Sequence, residues 1–248
     1  MRFVESPNLP DSDISLAMVS GTYPELIISL NCLGIQVIPV ITRSRLNISV
    51  KNHADEVCIH LGGNNILLAP GESELKNILE RHEFNVIDSS SEIHSPYPYE
   101  AKLNAARVGR YLITNQNIID RTMLNYNLNS QTNIIDVKQG YAKCSTAVID
   151  DHSIITSDNG IANATRASGL EVLQIRPGYI KLPGCNYGFI GGTCGKISKN
   201  KIAFAGRIQD HPDFPEIEDF LQRRKIEFVV LSDCPLTDIG GILPLQYS

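Results

Sequence analysis

No stretch of this sequence reaches the roughly 18 consecutive apolar residues of a membrane-spanning helix. The opening run MRFVESPNLPDSD carries acids and two prolines where a secretory leader needs an apolar core. A soluble, cytoplasmic protein is expected, with no membrane partner. Basic charge is also short: 22 Lys and Arg are scattered among 27 Asp and Glu, for a net charge of −5, which counts against a nucleic-acid partner whose phosphates would have to be tracked. The six cysteines (Cys32, Cys58, Cys144, Cys185, Cys194, Cys234) lack the dense spacing of a small disulfide scaffold. Reduced thiols are expected. Neither Cys185 with Cys194 nor Cys144 with His152 has the tight spacing of a structural zinc site, and the glycine-rich run Gly191–Lys196 lacks P-loop spacing. No cofactor and no metal are called for.

What the chain does have is self-similarity. Leu61-Gly62-Gly63-Asn64, Ile190-Gly191-Gly192-Thr193 and Ile239-Gly240-Gly241-Ile242 each set a Gly pair behind an apolar residue; the first two pairs are 129 residues apart and the next 49, a period in the mid-forties. A second marker, an apolar strand running into a turn before a helix, recurs at Gly21, Gly71, Asn115, Gly160 and Gly206. After each turn the pattern gives a helix and another apolar strand. Thr22 and Glu25 suit a capping box for the first helix, which ends near Gly34. Leu75, Ile78 and Leu79, then Leu124 and Leu128, then Ile217, Phe220 and Leu221 mark buried helix faces. Five strand–helix–strand units result.

The first unit lacks a Gly-Gly strand and the last segment, Asp238 to Leu245, is such a strand with no helix after it. A C-terminal strand completing the N-terminal unit closes a ring without free edges. A five-bladed, pseudo-symmetric α/β propeller is expected, with an ordinary doubly wound α/β sheet as the competing arrangement.

This ring of ββαβ units with Gly-Gly motifs and a closing C-terminal strand resembles the pentein fold of guanidino-group-modifying enzymes: arginine and agmatine deiminases, dimethylarginine hydrolases and amidinotransferases, alongside a non-enzymatic ribosome anti-association factor. The resemblance implies a single pentein-like domain over residues 1–248. In those enzymes a Cys on the last strand attacks the guanidinium carbon, a His moves protons and paired carboxylates hold the cation. Leu245 stands here at the nucleophile position, and Leu61-Gly62-Gly63-Asn64 replaces an acidic motif. Thr193-Cys194-Gly195-Lys196 falls where a His motif would be.

An alternative set sits at repeat positions. Two residues before each Gly pair stand His60, Phe189 and Asp238, expected at one height round the axis. Cys194, between Gly192 and Gly195, is the candidate nucleophile, with His60 as acid–base and Asp238 as the orienting or cation-binding carboxylate. Asn64, Cys144 and Tyr187 are the candidate substrate-binding residues. Two functions follow from different classes. One is a Cys-dependent hydrolase or transferase, amidinohydrolase- or deiminase-like, acting on a small polar guanidino- or amide-containing molecule. The other is a non-catalytic binding protein on the same scaffold. A homo-oligomer is compatible with either.

Overall fold

The computed structural model describes residues 2–130 and 132–247. Its first unit is β1 (Ile14–Ser20), α1 (Pro24–Cys32) and β2 (Gln36–Val40). The second opens with a single helical turn, α2 (Ala54–Val57), and continues as β3 (Cys58–Gly62), β4 (Asn65–Leu68), α3 (Ser73–Arg81) and β5 (Asn85–Asp88). The third is β6 (Ala106–Val108), β7 (Tyr111–Thr114), α4 (Arg121–Asn129) and β8 (Asn133–Asp136). The fourth is β9 (Ala147–Val148), β10 (Ser153–Thr156), α5 (Asn159–Ala167) and β11 (Glu171–Gln174). The fifth enters through a 3-10 turn, Ile190–Thr193, and runs through β12 (Cys194–Ser198), β13 (Lys201–Phe204), α6 (Phe214–Gln222) and β14 (Glu227–Val230). Last comes β15 (Leu243–Tyr247).

Each unit is a three-stranded sheet with one plan. The middle strands β1, β4, β7, β10 and β13 pair antiparallel with an inner strand and parallel with an outer one. A tight turn suffices for most of the antiparallel pairs, whereas the parallel pair needs the crossover helix. Middle strands are covered on both faces and therefore read as unbroken apolar runs, such as Ile66-Leu67-Leu68 and Ile202-Ala203-Phe204, all buried. The outer strands β5 and β11 are half-buried at their centres and exposed at both ends.

The first unit borrows its inner strand from the far end of the chain. β15 lies antiparallel to β1, with Met18 opposite Leu243 and Ile14 opposite Tyr247. Core clusters then run round the ring. One joins units one to three through Met18, Leu67 and Leu112; others join three to four, four to five, and five back to one through Ala203 and Val19. The molecule is a closed five-unit α/β propeller. Among the described residues no helix is long and apolar enough to cross a membrane.

Three local expectations need correcting. Helix α1 has Tyr23 as N-cap with no side-chain cap bond, and not a Thr22–Glu25 box. Pro24 takes the first helical position, where its missing N–H costs nothing, while Thr22 Oγ1 accepts from Asn52 Nδ2 at 3.0 Å. On α4 the buried pair is Met123 and Asn127, with Leu128 exposed. Asn127 is tied to Met123 O and to the Arg107 guanidinium, which turns that side of the helix inward.

The third correction concerns the Gly pairs, which are not equivalent. Gly62 and Gly63 form the β3–β4 hairpin turn, both at positive φ. The pairs at 191/192 and 240/241 lie ahead of the inner strands β12 and β15. His60 is therefore inside a strand near its hairpin end, and does not share the height of Phe189 and Asp238.

Candidate functional site

Register round the axis is set by distance from the start of each inner strand. Five residues ahead of that start stand His53, Ala101, Ala142, Phe189 and Asp238. Three ahead stand Asp55, Leu103, Cys144, Gly191 and Gly240; two ahead, Glu56, Asn104, Ser145, Gly192 and Gly241. α2 and the 3-10 turn at Ile190–Thr193 occupy the same place in their units, and Val57 and Thr193 accept matching bonds from Ala69 and Ala205. The segments are stitched across the axis by backbone bonds, Gly192 N to Cys144 O at 2.9 Å and Gly241 N to Gly192 O at 2.8 Å.

These positions carry one buried polar cluster. The Cys144 thiol donates to Asp55 Oδ2 at 2.9 Å and receives Asn104 Nδ2 at 3.1 Å. Asn104 also donates to Glu56 Oε1 at 3.1 Å, and its Oδ1 accepts from the backbone N–H groups of Lys143 and Cys144, so it fixes the thiol from both sides. Asp238 accepts from Phe189 N at 2.9 Å and Gly240 N at 3.1 Å. His53 Nδ1 stands 3.8 Å from Asp238 Oδ1. Sγ of Cys144, a His53 ring nitrogen and an Asp238 oxygen all lie within 4.8 Å of one another.

Glycine makes this crowding feasible. A Cβ at Gly188 would sit 2.5 Å from Asp238 Cβ, and one at Gly192 would overlap the Asp238 carboxylate outright. Burial dominates the electrostatics. It pushes the carboxyls of Asp55 and Glu56 up, with Lys143 opposing it at Asp55 and neighbouring carboxylates reinforcing it at Glu56. Burial and the same carboxylates hold the Cys144 thiol well above the usual range. Burial pushes the His53 imidazole down, against the pull of Asp238.

The sequence candidates land in different surroundings. Asp238 and Cys144 are in the cluster. Cys194 is the first residue of β12, its thiol turned on Ile190 O at 3.4 Å and packed in the core shared by units four and five; burial raises it to about 11. His60 Nε2 meets Gly63 O at 2.8 Å within its own hairpin, and burial lowers its ring to about 4. Among the described residues Asp238 converges with His53 and Cys144, and neither Cys194 nor His60 belongs to that group. Asn64 is exposed in the hairpin turn, where its carbonyl accepts from Asn85 N. Tyr187 is exposed and meets Phe189 edge-on at 6.1 Å between ring centres. Sequence reasoning passed over His53, Asp55, Glu56, Asn104 and Lys143. The signal for three of them was the ionisable run His53-Ala54-Asp55-Glu56 abutting the apolar strand Val57-Cys58-Ile59.

On one side of the cluster a cavity of about 20 Å³, room for one water, is bounded by Asp55, Lys143, His60, Arg107 and Leu243. Aromatic rings adjoin the cluster at Phe189, whose N–H binds Asp238: Tyr97, Tyr141, Phe189 and Tyr187 form a chain at 5.5, 6.3 and 6.1 Å. The Tyr141 hydroxyl and Ser95 Oγ both donate to Glu100.

No curated protein matches the sequence. Solved structures match the fold. An inosamine-phosphate amidinotransferase from Streptomyces griseus aligns at TM-score 0.63 and 10% identity, over 100% of this chain and 98% of that one. An amidinotransferase of the saxitoxin biosynthetic pathway from Microseira wollei aligns at TM-score 0.62 and 11% identity, over 98% and 97%. C. jejuni agmatine deiminase aligns at TM-score 0.56 and 10% identity, over 100% and 96%. The fold is that of the penteins, in a sequence-divergent form. Residues 18–243 match the model of the Family of unknown function (DUF6873), and the chain belongs to that family.

Proposed function

We propose that the axial cluster binds a planar guanidinium or amidinium cation and that Cys144 is its nucleophile. The observation that carries this is the gathering of Asp55, Glu56 and Asp238 round one buried thiol with Lys143 as the cation at hand. Buried carboxylates this close stay ionised only beside positive charge. A delocalised cation seated between Asp55 and Glu56 would donate charge-assisted hydrogen bonds to both. The same charge would bring the thiol down, so the nucleophile is armed by its substrate.

Asn104 aims Sγ, and His53, beside Asp238, carries the proton. The thiolate adds to the central carbon while His53 holds the thiol proton. The C–N bond then breaks, the amine leaves with that proton, and an S-linked amidine remains. Water adds next and expels the thiol, giving a ureido product; an amine in place of water gives a transferase. The names of the amidinotransferases and the agmatine deiminase support this substrate class, and the aromatic chain offers ring faces to an entering cation.

A second reading, cation binding without turnover, is favoured by closure of the cluster, where Cys144 is 2% exposed. The test is a panel of agmatine, arginine and N-methylated guanidines, scored for ammonia release and amine exchange. Turnover that falls on the order of 10³-fold in Cys144→Ala and survives in Cys194→Ala is expected. Loss in Cys194→Ala alone would move the nucleophile there. Saturable binding without turnover supports the second reading, and neither binding nor turnover overturns both.

A further inference from the structure

The cluster holds ligand atoms that no hydrogen bond uses. His53 Nδ1, Asp55 Oδ1 and Glu56 Oε2 are buried and unpartnered, an arrangement that costs free energy unless something occupies the space between them. Two trios share one sulfur: Cys144 with His53 and Asp238, and Cys144 with Asp55 and Glu56, each with its ligand atoms within 4.8 Å. The 3.8 Å between His53 Nδ1 and Asp238 Oδ1 is too long for a hydrogen bond. The matching nitrogen–oxygen edge of a tetrahedron with bonds of roughly 2.0 Å is about 3.3 Å, so an ion between these two atoms would draw them about half an ångström closer.

We propose that Cys144 Sγ, His53 Nδ1 and Asp238 Oδ1 bind one Zn²⁺ ion, with the fourth position facing Asp55. A thiolate and an imidazole select a zinc-like ion over Mg²⁺ or Ca²⁺. Binding forms the Zn–S bond as the thiol proton leaves to solvent, with no change of oxidation state. The two added positive charges answer the buried carboxylates. The ligands come from the approaches to β3, β9 and β15, 91 and 94 residues apart, so no short spacing motif could announce them. An ion on this sulfur and an organic cation are alternative occupants, yet metal binding stands whether or not the protein turns anything over.

The test is titration with Co²⁺ of full-length protein in which the exposed cysteines Cys32, Cys185 and Cys234 are serine. Saturation at one equivalent, with thiolate-to-cobalt absorption and tetrahedral visible bands that Zn²⁺ abolishes, is expected. Cys144→Ser should remove the thiolate band, and His53→Gln should weaken uptake at least tenfold, while Cys194→Ser leaves both unchanged. A folded parent that takes up no cobalt, or shows no sulfur band, overturns the proposal without recourse to variants. So does a folded Cys144→Ser protein with the parent spectrum. No substrate enters the readout, so its failure is separate from a failure of the catalytic reading.

Discussion

Replacing Gly192 by Ala tests whether the Asp238 carboxylate is locked against the chain. The backbone of Gly192 has no exit: its N–H donates to Cys144 O at 2.9 Å, and its carbonyl accepts from Ile239 N at 2.9 Å and Gly241 N at 2.8 Å. Its φ lies outside the left-handed region, so an alanine backbone is unstrained and the methyl itself is the perturbation. That methyl must expel the carboxylate from the Phe189 and Gly240 N–H groups. Hydrogen bonds to a charged group are worth about 1.5–3 kcal/mol each, and overpacking adds about 1–3 kcal/mol. A cost of about 5 kcal/mol is expected, which corresponds to a Tm lower by about 10–20 °C in a chain of this size. Urea unfolding of Gly192→Ala, Asp238→Ala and the double variant forms a cycle. If the clash is the cause, removing Asp238 relieves it, with a coupling of about 2 kcal/mol or more. A single variant within about 1 kcal/mol of the parent, or an equal cost in both backgrounds, refutes the reasoning.

Alkylation at pH 8 followed by mass spectrometry should label Cys32, Cys185 and Cys234 first, with Cys144 slower by about 100-fold because its thiol is buried and held protonated; equal rates would contradict the site electrostatics. Asn104→Ala strips the acceptor from the Lys143 and Cys144 N–H groups and should cost about 2–4 kcal/mol in urea unfolding, together with any cation affinity. His60 is lowered to about 4 from 6.5 in the folded state, so its contribution is present above pH 6.5 and is lost as pH falls toward 4. His60→Gln should therefore gain about 3 kcal/mol on the parent across that window, and a flat difference would be inconsistent. Asp55 is raised in the folded state, so its sign is opposite: the parent loses stability as pH climbs from about 4 towards the raised value, and Asp55→Asn should gain on it over that climb, measured by Tm against pH.

The ring was legible because the five middle strands have apolar centres and each is followed by turn and helix signals. Its closure was legible from the unmatched ends, Ile14–Ser20 and Leu243–Tyr247. The site was harder to read, since Gly pairs serve two physical purposes. Gly62 and Gly63 permit a hairpin turn, whereas Gly191 and Gly192 clear space for a neighbouring unit. Treating the two kinds as equivalent puts His60, in place of His53, at the register of Asp238. Helix faces were misplaced where a polar tie, Arg107 to Asn127, decided the orientation that apolar spacing had assigned to Leu124 and Leu128.

Rotational pseudo-symmetry gives the axis five equivalent stations. Asp55, Leu103, Cys144, Gly191 and Gly240 occupy equivalent stations; three of them carry side chains, while a Cβ at Gly191 or Gly240 would meet Lys143 O at 2.2 Å or His53 Cβ at 2.4 Å. A reactive group in such a scaffold is not bound to one place along the chain: among the three stations that hold a side chain it can be lost from one unit and regained in another, with the sheet beneath it untouched. Chain-position alignment is a poor guide to chemistry in a molecule of this kind. The same equivalence offers a design route, in which Leu103→Cys would place a second thiol across the axis without building a new fold.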